Sequence, residues 1–110
     1  MTGPRSGAPI WWARRARRDL HEIGDFIARD KPKAAARWVN RITDAVERVA
    51  VFPSSGRAVP EIGRDDIREI IFEDYRIVYQ IRDDRIIVLT VFEGHMRLSE
   101  RNIPAPPAPP

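Results

Sequence analysis

The sequence predicts an α+β domain, a two-helix antiparallel hairpin packed on a small antiparallel sheet in the order β-α-α-β-β-β. Three observations carry this. From Ala16 to Val49 apolar residues recur at spacings of three and four, in two blocks parted by Pro32. From Ile67 onward the composition shifts to β-branched and aromatic runs. The last two runs, Tyr75–Ile81 and Ile86–Phe92, flank the polar pair Asp83-Asp84, which reads as a tight hairpin.

Taken in order, residues 1–9 hold Gly3, Pro4, Gly7 and Pro9 and read as a flexible lead. Ile10-Trp11-Trp12-Ala13 is short, aromatic and bounded by Pro9, and is read as a first strand. Adjacent tryptophans on a strand point to opposite faces, so one is expected in the core with Trp38 and the other outside it. The stripe Ala16, Leu20, Ile23, Phe26, Ile27 predicts a helix that stops near Asp30-Lys31. Pro32 opens a second helix, at the position where proline's missing N–H has no intrahelical acceptor to lose. Its stripe is Ala35, Trp38, Val39, Ile42, Ala45, Val46 and Val49, and Phe52-Pro53 ends it. A short link between two amphipathic helices makes them antiparallel neighbours. Residues 53–57 are turn-rich, and residues 58–66, with Pro60 and Gly63, read as irregular. Three strands follow, at about 67–72, 75–82 and 85–92. The last is apolar on both faces and belongs inside the sheet. The proline-rich end, from Pro104, has nothing to pack a core and reads as an extended tail.

Composition limits the choices. A chain of 110 residues has room for one modest core. No apolar run reaches the roughly 18–20 residues of a membrane span. No apolar segment follows Met1–Gly7, so no secretory signal is expected and the location is read as cytoplasmic. Cysteine is absent, which removes disulfides and thiolate metal sites. His21 and His95 lie on different elements, so neither a metal nor a cofactor is expected. The net charge of +3 is unevenly spread. Residues 1–50 carry eleven Lys/Arg against six Asp/Glu; residues 51–110 carry eight against ten. A nucleic-acid grip calls for a basic working face, and the sheet-forming half lacks one.

Six short motifs occur in order: Ala16-x-x-Asp19-Leu20-x-x-Ile23 with Phe26-Ile27; Pro32-x-x-Ala35; Pro53-x-x-Gly56-Arg57; Ile67-Arg68-Glu69; Tyr75-Arg76-Ile77-Val78-Tyr79; and Val91-Phe92-Glu93-Gly94-His95-x-Arg97. With them the sequence resembles the RelE/ParE superfamily of toxins from type II toxin–antitoxin pairs, over residues 10–98. Residues 99–110 then form a Pro-rich tail. The resemblance implies a cognate antitoxin, ParD-like or RelB-like, bound in a hetero-oligomer. It implies either of two targets. ParE-like members inhibit DNA gyrase and have no chemistry of their own, and plasmid stabilization is the role attached to such pairs. RelE-like members are ribosome-dependent, metal-independent mRNA endoribonucleases. The helix signature and the Pro-x-x-Gly-Arg loop resemble the ParE side more closely.

Under the RelE-like alternative the catalytic residues would be Arg76, His95 and Arg97, with Glu73 and Tyr79 as outside candidates. Cleavage at a 2′-hydroxyl needs a proton acceptor and cations facing the phosphate, and a histidine and two guanidiniums have that chemistry. The sequence also departs from that pattern. Met96 stands where an arginine is expected, and both lysines, Lys31 and Lys33, lie between the helices. Each candidate has a plainer reading as well. Arg76 alternates with Tyr75, Ile77 and Tyr79 and can cross-pair with Glu69 or Glu73. His95 can serve as a local hydrogen-bonding group, and Arg97 can meet an antitoxin carboxylate, gyrase or solvent. The run Arg14-Arg15-Arg17-Arg18 suits an acidic antitoxin segment or a solvated helix start. Exposed sheet edges and the groove of a helix hairpin are places where a disordered partner can fold on binding.

Overall fold

The computed structural model describes residues 7–94. Its elements are β1 (Ile10–Trp12), α1 (Arg14–Ala28), α2 (Pro32–Val51), β2 (Arg57–Ala58), β3 (Ile67–Phe72), β4 (Tyr75–Arg82) and β5 (Arg85–Glu93). A single 3₁₀ turn, Pro53–Ser55, follows α2. The five strands form one sheet in the order β1-β5-β4-β3-β2.

This is the expected helix hairpin on a sheet, with two differences in the sheet. A two-residue strand, β2, pairs antiparallel with β3 at Arg57↔Glu69 and Ala58↔Arg68. The first strand joins parallel to β5, so the sheet is mixed rather than wholly antiparallel. A tight turn forces antiparallel neighbours, but the connection from β1 runs through both helices and imposes no such direction. The three later strands are joined by two-residue turns and are antiparallel throughout.

The helices cover one face. Trp38, Ile42, Ala45 and Val46 of α2 pack on Ile77, Val88 and Val91, with Trp12 and Tyr75 at the margin. Trp38 and Tyr75 meet edge-on, with ring centroids 5.1 Å apart. Trp11 points the other way and is exposed, with the Arg85 guanidinium over its ring. Phe26 departs from the expected stripe: it is 68% exposed, and the core side of α1 is formed by Ala16, Leu20, Ile23, Gly24 and Ile27. A Cβ on Gly24 would stand 3.6 Å from Val39, so a small residue lets the helices approach there.

The opposite face of the sheet is covered from the loop before β3. Val59 and Ile62 pack on Ile67, Val78, Ile87 and Leu89. This is why β5 is apolar on both faces. A β-bulge lies where Tyr79 pairs with Val88 and Val78 with Thr90, leaving Leu89 as the extra residue. At the bulge Thr90 Oγ1 and the Val91 N–H both donate to Asp19 Oδ2, at 2.6 and 3.0 Å. Asp19 thereby fastens α1 to β5.

Both residues of the β4–β5 turn have positive φ, 49° at Asp83 and 61° at Asp84. That is the type I′ geometry, which favours glycine at the second position. Relief of about 1–2 kcal/mol of left-handed strain outweighs glycine's extra entropy loss of about 0.5–1 kcal/mol, so Asp84→Gly is expected to stabilise the chain by up to about 1 kcal/mol. Urea denaturation should show a higher midpoint with an unchanged slope.

Candidate functional site

Arg76 projects from β4 on the face opposite the helices. It is held on three sides. Its Nε donates to Glu69 Oε1 at 2.6 Å, and its two terminal nitrogens donate to the Glu61 carboxylate at 2.8 and 2.9 Å. The Phe92 ring lies 5.1 Å from the guanidinium carbon. Only 6% of Arg76 is exposed. The hydrogen bonds it donates to Glu61 raise its pKa above the ordinary arginine value, with Glu69 adding to them against the opposing effect of burial.

Sheet register explains the first partner. Ile71 faces Arg76 across the β3–β4 ladder, so Glu69, two residues back on the same face, is its diagonal neighbour. Glu69 is buried and has a second cation: Arg57, directly opposite on β2, donates from Nε at 2.8 Å and from a terminal nitrogen at 2.7 Å. Glu61 comes from the segment before β3, which hydrogen-bonds back on itself. The N–H groups of Ile62 and Gly63 both reach the Val59 carbonyl, at 3.0 and 2.9 Å, and Gly63 takes φ 69°. Arg57, Glu69, Arg76 and Glu61 thus form one chain of alternating charge.

The other candidates are dispersed. Glu73 sits on the β3–β4 turn, exposed, and pairs with Arg41 at 3.0 Å rather than with Arg76. Tyr79 is buried on the helix side. Its hydroxyl donates to the Pro53 carbonyl at 2.7 Å and accepts the Gly56 N–H at 3.0 Å. Burial raises its pKa. A Cβ at Gly56 would run into that hydroxyl and approach the Glu69 carbonyl to 2.7 Å, which accounts for the glycine in the Pro-x-x-Gly-Arg motif. His95 and Arg97 lie outside the described residues. Gly94 lies beside the stem of Arg76, and its N–H bonds to the Asp74 carbonyl at 2.6 Å. Glu61 is the functional neighbour that sequence reading missed, since it stands in a stretch with no period. Among the described residues no group of three or more His, Cys, Asp or Glu could hold a metal ion. No helix there is long and apolar enough to cross a membrane.

A helix hairpin on one face of a mixed five-stranded sheet is the architecture of the RelE/ParE class of small toxins. The sequence pattern of the family described as "ParE toxin of type II toxin-antitoxin system, parDE" matches residues 10–98. The chain belongs to that family, and is a toxin of the type II toxin–antitoxin kind. It is 44% identical to "Putative toxin Y4kP" of Sinorhizobium fredii, over 80% of this chain and 90% of that protein. It is 29% identical to toxin RelE2 of Caulobacter vibrioides, over 76% of this chain and 92% of the relative. Its fold is like that of a chain in the chromosomal ParDE toxin–antitoxin system of P. aeruginosa, with a TM-score of 0.67 at 20% identity, covering 78% of this chain and 95% of the other.

Removing one member of the buried charge chain leaves its partner desolvated. Glu69→Ala is expected to cost about 3 kcal/mol, measured by urea denaturation, because both Arg57 and Arg76 lose a carboxylate. Glu61→Ala should cost less, since Arg76 keeps Glu69.

Proposed function

We propose that this toxin acts by binding DNA gyrase and inhibiting it, and that a ParD-like antitoxin neutralises it in a hetero-oligomer. In this reading residues 10–98 are one toxin domain between the lead and the Pro-rich tail. It works in the cytoplasm, has no chemistry of its own, and serves to stabilise the plasmid or other replicon that carries the pair.

The observation that supports it is the commitment of Arg76. Stabilising a phosphate in a cleavage reaction needs a cation whose hydrogen bonds are free to face the developing charge. Two carboxylates already engage this guanidinium at 2.6–2.9 Å, and burial keeps an RNA phosphate from competing for it. Each carboxylate would also repel that phosphate. A rigid surface offered to a protein target needs no free cation there.

A second reading is kept by the likeness to the RelE2 toxin and by two side chains of suitable chemistry. It is a ribosome-dependent mRNA endoribonuclease in which Arg76, His95 and Arg97 are catalytic. The two readings separate in the test tube. The gyrase reading expects the purified chain to block supercoiling and accumulate cleaved DNA, while mRNA on ribosomes stays intact. Cut mRNA with normal supercoiling would overturn it. In that case His95→Ala combined with Arg97→Ala should lower cleavage by about 100-fold or more.

A further inference from the structure

We infer that the groove between α2, the end of α1 and the β3–β4 turn seats an acidic segment of the antitoxin, which inserts an apolar side chain, pairs with Arg37 and Arg41, and accepts a hydrogen bond from Trp38. This rests on the antitoxin reading above and names where and how that partner is recognised.

The groove is lined by Ile27, Ala34, Arg37, Trp38, Arg41 and Glu73 and has a volume of about 240 Å³. That is below the roughly 300–1,000 Å³ of small-molecule sites, and suits one or two side chains of a polypeptide. Its lining carries two guanidiniums against one carboxylate. Arg37 is exposed and makes no ion pair or hydrogen bond among the described residues. Among the described residues Arg41 forms one ion pair, with the exposed Glu73, a contact of little worth in water, and its guanidinium lies 5.0 Å from the centre of the Phe72 ring. Trp38 is 5% exposed, yet its Nε1 has no acceptor among the described residues. A buried indole N–H normally has a partner, and leaving it without one is unfavourable. An acceptor brought by the partner removes that deficit. It reaches the indole only by displacing the atoms that cover it, so this bond reports seating rather than loose encounter. Another groove on α2, lined by Asp44, Glu47, Arg48 and Val51, has the opposite charge balance and, among the described residues, no unpaired buried donor.

The test uses the full chain and the purified product of the neighbouring gene as probe. Arg37→Glu should weaken binding at least tenfold by calorimetry and leave the melting temperature of the free chain unchanged. Lys33→Glu, the same charge change on an exposed position of α2 outside the groove, should stay within twofold of the parent. In a ¹H–¹⁵N spectrum the Trp38 indole resonance, identified by its loss in Trp38→Phe, should move downfield on binding. Equal affinities for the two charge variants, or an unmoved indole resonance, would overturn the assignment while leaving the antitoxin reading intact. A parent chain that does not bind the probe would overturn both. A dimer of the chain alone that Arg37→Glu dissolves would give the groove to a second copy and overturn the assignment too.

Discussion

The buried guanidinium of Arg76, shared between Glu61 and Glu69, ties β2, β3, β4 and the loop before β3 together on the sheet face away from the helices. Glu69 brings in β3 and, through Arg57, the short strand β2. Glu61 draws the segment before β3 across the sheet, where Val59 and Ile62 cover Val78, Ile87 and Leu89. A buried ion pair adds little net stability over an apolar replacement, but losing one member is costly. The network is therefore better understood as fixing which loop conformation covers the sheet. It also removes the arginine from solvent chemistry.

The helix face is fastened differently. Three side chains hold backbone: Tyr79 grips the turn after α2, Asp19 grips the bulge in β5 through the Val91 N–H as well as the Thr90 hydroxyl, and Arg68 donates to the Gly56 carbonyl at 2.8 Å. Two of these act on the Pro53–Gly56 turn, so the motif Pro-x-x-Gly-Arg is a packing requirement. Its arginine then leads directly into the charge network through Glu69. Sequence features that look like a functional signature in this chain are, at these positions, mostly the means of closing the fold.

Much of the fold was legible because period carries it. Spacings of three and four marked both helices, and α2 begins at Pro32 as read. Alternation around Asp83-Asp84 gave β4 and β5 almost to the residue. What had no period was missed. Two residues cannot display an alternation, so β2 went unread, and nothing local marks the direction of β1 or the bulge at Leu89. Phe26 was misplaced because it lies one step off the stripe, beside Ile27, which does face the core. At the site, alternation offered Glu69 or Glu73 as the cross-pair of Arg76; Glu69 takes that place, and Glu73 pairs with Arg41 instead. Glu61 could not be foreseen, because its position depends on how an aperiodic loop folds back.

The gyrase-binding reading proposed above turns on whether the β4 arginine is available to a phosphate. The side-chain ¹H–¹⁵N signal of Arg76 Nε reports this directly. The account predicts hydrogen exchange far slower than at the exposed arginines of α1, and no change in the signal when a single-stranded RNA oligonucleotide is added. Exchange as fast as at those arginines, with a signal that shifts as RNA is titrated in, would contradict it.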